Sequence, residues 1–201
     1  MLDQRILSDY NKVRQSKNKG IFCHAPYLLE AKFLGGEPFL IKTYYQIRDL
    51  LIRLNPNIHI SITTNGTVLN NRVADTIEKL KVNVIISIDS LERENYERIR
   101  VNAGFGRMME NYRYFKEYVK RKQTSLTFAV CPMQRNWNEM PLFLEFCNEE
   151  GVYLFFNTVI YPEHAALQTM KRGELEKVVE VLGSVELTGH TGLHAHNNSN
   201  Y

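Results

Sequence analysis

The stretch LLEAKFLGGEPFLIKTYYQIRDLLIRL (residues 28–54) decides how this chain is read. A short run from Glu30 to Leu34 stops at Gly35-Gly36-Glu37-Pro38. A helix-period pattern follows, with Leu40, Tyr44, Ile47, Leu51 and Leu54 at steps of four and three. A strand that hands over to a helix is half of a βαβ unit. At the corner, two glycines allow backbone conformations that other residues resist, and they leave bare peptide groups against which a ligand can lie. Pro38 fixes its own φ and restricts Glu37 to an extended form. That geometry predicts Glu37 projecting its carboxylate at the strand's end, suited to an ammonium group. A tight turn with an exposed glutamate is the plain alternative. The buried strand before it and the helix after it favour a binding turn for the polar end of a small molecule.

The same alternation continues along the chain. Strands are predicted at Glu30 to Leu34, Ile58 to Thr63, Val82 to Ile88, Leu126 to Cys131 and Val152 to Asn157, each short and bounded by turn residues. Helical stripes lie between them: Leu69, Val73, Ile77 and Leu80; Met108, Tyr112, Phe115 and Val119; Leu142 with Phe146; and Leu175, Val178 and Leu182. The runs VNVIISI (82–88) and VYLFF (152–156) are apolar on both faces, as in strands covered on both sides, which means parallel βαβ units with right-handed crossovers. Five such units suit an open doubly wound sheet or part of a (β/α) barrel. In both, ligands gather at the carboxyl ends of the strands. The informative residues are therefore GGEP (35–38), TNG (64–66), DS (89–90), PMQRN (132–136) and TVIYPEH (158–164).

The rest of the sequence bounds the problem. The chain has 201 residues, 44% of them hydrophobic, enough for one domain with a real core. With 25 basic and 22 acidic residues the net charge is +3, a balance that does not point to nucleic acid. Lys116, Lys120, Arg121 and Lys122 read as a solvated helix end, where cations suit the helix dipole. No apolar run approaches the roughly 20 residues that span a bilayer, and the polar start MLDQRILSDYNKVRQSKNKG is no secretory signal, so a cytoplasmic location is expected. The three cysteines, Cys23, Cys131 and Cys147, are far apart and form no disulfide framework. Residues 2–19 read as a polar helix stopped by Gly20. IFCHAPY (21–27) reads as extended or turning. From Gly183 the helix period is lost, which predicts at most a short strand at Val185 to Leu187 and disorder beyond. The expected organisation is an N-terminal segment (1–29), a barrel-like core (30–182) and a flexible tail (183–201).

These motifs resemble a known family. AKFLGGEPFL (31–40) is similar to the GGEP signature of radical S-adenosylmethionine (radical SAM) enzymes. HISITTNGTVL (59–69), NVIISIDSLERENYERIR (83–100), FGRMMENYRYF (105–115) and LTFAVCPMQRNWNEMPLFLEFCNEEGVYLFFNTVIYPE (126–163) resemble that family's later strands in the same order, with Asn136 and Glu139 in familiar places. The resemblance implies an α/β fold: a partial (β/α) barrel of about five parallel strands, missing the first βα unit. It implies that Gly35, Gly36, Glu37 and Pro38 hold the amino group of SAM. Ser87 and Asp89 would lie near its ribose or carboxylate, with Asn65 on the same rim. Val130, Cys131 and Asn157 would pass near the adenine or the substrate. A helix N-cap is the other reading of Asp89.

One departure matters. The family's C-x3-C-x2-C loop, whose thiolates carry a [4Fe–4S] cluster, occurs nowhere in this sequence. IFCHAPY resembles the opening of an auxiliary-cluster region, yet Tyr27 runs almost directly into the GGEP strand, as though an intervening segment were missing. The adjacent Cys23 and His24 read as a structural pair, Cys131 and Cys147 as buried small hydrophobes, and His190, His194 and His196 (H-x3-H-x-H) as an incidental group in the tail. The resemblance thus implies an enzyme core that generates a 5′-deoxyadenosyl radical to modify a peptide, protein or other organic substrate, without the electron source when this chain acts alone. The alternative is a non-catalytic relative that binds SAM, a nucleoside or a partner protein. A lost first βα unit would leave an open sheet edge that invites such a partner. Neither nucleic acid nor a membrane is expected as a partner.

Overall fold

The computed structural model describes residues 24–187, 189 and 191–201. The readings of residues 2–19, of Gly20, of Cys23 and of His190 fall outside the described residues. The core is a single sheet of five strands: β1 (Glu30–Phe33), β2 (His59–Thr64), β3 (Val82–Ser87), β4 (Leu126–Val130) and β5 (Tyr153–Phe156). Between them run α1 (Lys42–Leu54), α2 (Asn71–Glu78), α3 (Arg93–Ile99), α4 (Phe105–Lys122) and α5 (Met140–Glu150). After β5 come α6 (Arg172–Gly183) and α7 (Gly192–Asn200).

Strand order separates the two architectures left open by the periodicity. The sheet runs β1-β2-β3-β4-β5, and every neighbouring pair is parallel. A doubly wound sheet reverses direction at a switch point. Here each step goes the same way, and right-handed crossovers then carry every helix to one face. That is the wall of a partial (β/α) barrel.

Burial follows this geometry. Phe33, Ile60, Ile62, Val84, Ile86, Phe128, Val130 and Leu154 point to the helices and are buried. On the other face Ser61, Thr63, Asn83, Ile85, Ser87 and Thr127 are half-buried and Phe155 is exposed. The strands are therefore covered on one side only, and the open side is largely polar. The apolar runs seen in sequence reflect β-branched residues such as Ile85, which lie on the open face.

Most helical stripes hold. Met108, Tyr112, Phe115 and Val119 of α4 are all buried, and Tyr112 and Phe146 pack on Phe128 with ring centroids 5.3 and 5.8 Å away. Two stripes are displaced. Leu40 precedes α1 in a turn closed by its N–H on the Glu37 carbonyl, and stands exposed. In α5 the core face is Met140, Phe143, Leu144 and Cys147, whereas Leu142 faces solvent. The basic end of α4 is paired: Arg121 and Lys122 meet Glu78, and Lys116 meets Glu150.

The tail is a correction. No strand forms at 185–187, and Gly192–Asn200 is a helix whose N-cap Thr191 accepts the His194 N–H. Asn197 is wholly buried. Its Oδ1 accepts the Leu154 N–H at 2.7 Å, and its Nδ2 donates to the Val152 carbonyl at 2.9 Å. A polar composition hid this helix, because one asparagine that completes a strand edge outweighs a missing apolar stripe. Among the described residues no helix is long and apolar enough to cross a membrane.

Candidate functional site

The tip of β1 is a turn clasped from two sides. Gly35 and Gly36 both have positive φ, +88° and +57°, and both are exposed; a Cβ on either would meet nothing within 4 Å. They are glycines because of backbone conformation and not because neighbours crowd them. From α1, three side chains donate to carbonyls of this loop: Tyr44 to Leu34 (2.9 Å), Tyr45 to Phe39 (2.9 Å) and Arg48 to Pro38 (3.3 Å). The flanks of the turn are thus tied down while its diglycine crest faces outward.

Glu37 does not project as the sequence suggested. Its carboxylate is buried and turned toward β2, where it accepts from the Thr64 hydroxyl (2.9 Å), the Asn65 N–H (2.8 Å) and the Phe39 N–H (3.1 Å). Pro38 is buried beside it. The reason is economy of donors: three neutral groups converge on a carboxylate that would otherwise be desolvated without partners. Glu37 is therefore a bracket between the first two strand tips, and what the turn leaves exposed is the Gly35–Gly36 backbone.

Arg48 is the residue that sequence reasoning missed most clearly. It is fully buried inside α1, with its guanidinium over the rings of Tyr45 (4.4 Å), Phe33 (5.3 Å) and Phe39 (5.5 Å). Burial pulls its pKa below the ordinary arginine value. The aromatic faces and the Pro38 carbonyl replace much of the lost hydration. The only hint in the sequence is an arginine one position beyond an apolar stripe.

The next tips are also cross-linked. In register Thr64 faces Ile86 and Ser87 faces Ala129, so Asn65 and Ser87 fall on adjacent strand ends on the open face. Asp89 is buried and occupied. Its Oδ1 accepts the Cys131 N–H (3.0 Å), and its Oδ2 pairs with Arg100 (2.7 Å). It is not the helix cap, since the N-cap of α3 is Glu92. Asn136 donates to the Asp89 carbonyl (2.6 Å) and the Cys131 carbonyl (3.0 Å). Glu139 gathers the Ser90 hydroxyl (2.7 Å), the Leu91 N–H (2.9 Å) and the Asn95 amide (2.6 Å). Val130 is buried on the helix side, so its side chain does not reach the rim. Asn157 is exposed at the end of β5, beside a hollow of about 280 Å³ that it shares with Pro132, Phe156 and Val159. Gly35, Gly36, Asn65, Ser87 and Asn157 remain on the rim. Glu37, Pro38, Asp89 and Val130 support it from beneath.

Of the cysteines described, Cys147 is buried, and burial raises its pKa well above the usual thiol range. Burial, then the Asp89 charge, pushes the Cys131 thiol up to about 11. Such a thiol is neutral at physiological pH, and the thiolate appears only as pH rises toward 11. Iodoacetamide at pH 8 should therefore modify Cys131 about a hundredfold more slowly than a free thiol of pKa about 8.5, with the rate climbing roughly tenfold per pH unit. Peptide-resolved mass spectrometry checks this. Among the described residues no three His, Cys, Asp or Glu side chains gather as metal ligands.

Fold and rim together define an α/β partial barrel with an exposed diglycine turn at the carboxyl ends of parallel strands. Residues 18–147, well over half of the chain, match the family profile described as the Radical SAM superfamily, and the chain belongs to that superfamily. It is 31% identical over 128 residues to a probable GTP 3′,8-cyclase of Methanocaldococcus jannaschii, covering 61% of this chain and 40% of that protein. It is 26% identical over 148 residues to a GTP 3′,8-cyclase of Vibrio parahaemolyticus, covering 73% of this chain and 40% of that one. A solved structure of TYW1 with a lysine-pyruvate adduct bound aligns with 92% of this chain and 59% of its own, at 18% identity and a TM-score of 0.48. The chain thus spans about two fifths of the length of these curated relatives.

The family implies SAM and a [4Fe–4S] cluster. The residues present fit the first and not the second. Open space over two exposed glycine peptides, beside Asn65 and Ser87, suits an amino-acid end. For the cluster, three widely separated cysteines supply no C-x3-C-x2-C set, and Cys131 carries a high-pKa thiol on a residue whose backbone N–H is held by Asp89 at the β3–β4 tips.

Proposed function

We propose that this chain is the SAM-binding part of a radical SAM core. The observation that carries this reading is the Gly35–Gly36 crest, exposed while every neighbour is fastened. The glycine carbonyls accept hydrogen bonds from the ammonium group of SAM. Ser87 and Asn65 lie where the carboxylate and ribose need polar partners, and Asn157 borders the far side. Bound with a cluster, SAM supplies a carbon radical; this chain's own residues bind and orient. Lacking the ligand set for that cluster, the chain alone releases no 5′-deoxyadenosine. For the substrate, the names of the relatives favour a nucleotide, and no feature of the rim favours a peptide.

Calorimetry with SAM tests this. The expected result is weak one-to-one binding that is lost in Gly36→Val. That change forces a β-branched residue to positive φ, at about 1–2 kcal/mol, so the chain stays folded while its crest is reshaped. Titrating GTP in the presence of SAM addresses the substrate class. Failure of wild-type chain to bind SAM overturns the reading. Release of 5′-deoxyadenosine on reduction of the purified chain overturns the claim that it does not turn over alone.

A further inference from the structure

We propose that the outer edge of β1 is a self-recognition surface, on which a second copy of this chain adds its own β1 antiparallel about a dyad at Ala31. The two edges of the sheet differ. On β5, even-numbered residues face outward, since the Asn157 N–H turns inward to Val130, and the outward Leu154 N–H and Val152 carbonyl are both taken by Asn197 of α7. That edge is closed. On β1 the Leu29 carbonyl accepts from the His59 N–H, so by alternation the peptide groups of Glu30 and Lys32 face away from β2. Among the described residues no strand pairs with them.

The sequence of this edge is complementary to itself. With Ala31 opposite its own copy, Glu30 lies across from Lys32 of the second chain, and Lys32 from its Glu30. Leu29 lies across from Phe33, and Leu28 from Leu34. The outward residues 30 and 32 become the hydrogen-bonded pairs and Ala31 the non-bonded one, as an antiparallel ladder requires. Centring the dyad on Glu30 or on Lys32 sets like charges face to face, which is unfavourable. Among the described residues Glu30 and Lys32 pair with each other along the strand, at 3.3 Å and both more than half exposed, so the pair can exchange partners. Leu29 and Leu34 are exposed beside them, at 85% and 58%. An edge with no strand partner among the described residues is a template for pairing, and a four-residue strand makes a weak, concentration-dependent dimer.

Sedimentation equilibrium on the full chain tests the proposal through charge exchange. Wild type should dimerise. Glu30→Lys alone and Lys32→Glu alone should each weaken the dimer about tenfold or more, because two favourable cross-strand pairs become two repulsive ones. An equimolar mixture of these two variants should form a heterodimer, and the double exchange in one chain should restore the homodimer. Both are surface positions away from the rim, and SAM binding provides the check that each variant is folded. A wild-type chain that stays monomeric at millimolar concentration overturns the proposal, as does a dimer indifferent to all three charge changes. So does amide exchange showing Glu30 and Lys32 protected in the monomer, which would mean that another part of the chain covers the edge.

Discussion

Glu37→Ala lowers the unfolding free energy of this chain by about 3 kcal/mol in urea melts, since it leaves three buried donors without an acceptor at about 1 kcal/mol or more each. The donors are the Thr64 hydroxyl, the Asn65 N–H and the Phe39 N–H. Thr64 is almost wholly buried, so water does not readily replace the lost carboxylate there. Glu37→Gln keeps one oxygen acceptor but turns an amide NH2 toward another donor, so its cost falls below that of alanine without vanishing. Thr64→Val removes one partner and should cost about 1 kcal/mol. The double variant should be less destabilised than the sum by about 1 kcal/mol, because the contact is counted in both single variants. The alternative role for Glu37, an exposed ligand for an ammonium group, makes the opposite prediction: unchanged stability, no coupling to Thr64, and loss of SAM affinity alone. A melt of Glu37→Ala that matches wild type would restore that reading.

The contrast shows where the sequence was legible. All five strands lie within one residue of their predicted ends, because short β-branched runs between turn residues leave little freedom in placing a parallel strand. The order of those strands, and hence a barrel wall in place of a doubly wound sheet, came through resemblance and not from periodicity. For the rim candidates the sequence pointed to the strand ends and the segments after them, and Ser87 and Val130 are the last residues of their strands. Their roles were not legible, because a polar residue at a strand tip is equally suited to ligand and to scaffold. Glu37 and Asp89 became scaffold once Thr64 and Arg100 were seen beside them. Arg48 and Asn197 escaped altogether, since polarity in a sequence reads as exposure. Only the tertiary partners, three aromatic rings for one and the β5 edge for the other, show that these side chains are inside. The α5 face was misread in part for a smaller reason: Leu142 and Phe146 satisfy a four-residue step, but Phe143 and Cys147 satisfy it equally and are the buried pair, while Phe146 packs on Phe128 at the margin and Leu142 faces solvent.

Asp89 gives the other large effect. Asp89→Ala should destabilise the chain by about 3 kcal/mol, the lower end of what removing one partner of a buried ion pair costs, because Arg100 keeps some contact with water. Arg100 has 23% of its side chain exposed and Asp89 only 8%. The loss has two parts. Arg100 is left as a partly buried charge, and the Cys131 N–H loses its acceptor at the start of the loop after β4. Arg100→Met isolates the first part from the other side, leaving Asp89 with one neutral donor. If the ion pair dominates, Asp89→Ala and Arg100→Met each cost more than Asp89→Ala/Arg100→Met adds to either, and the cycle shows about 1–3 kcal/mol of coupling. A residual cost of about 1 kcal/mol persists in the double variant, because no methionine accepts a hydrogen bond from Cys131. The consequence reaches the rim. Asn136 donates to the Asp89 carbonyl and Glu139 holds Ser90 and Leu91, so the Asp89–Arg100 pair is one of several ties that fasten the β3 and β4 tips. Ser87, two residues earlier and one of the polar residues on the open face, sits beside these ties. SAM affinity should therefore fall in Arg100→Met, although Arg100 is no part of the proposed SAM contacts. A cycle with no coupling, together with unchanged SAM affinity in Arg100→Met, would make the pair a surface contact and return Asp89 to the set of direct ligands.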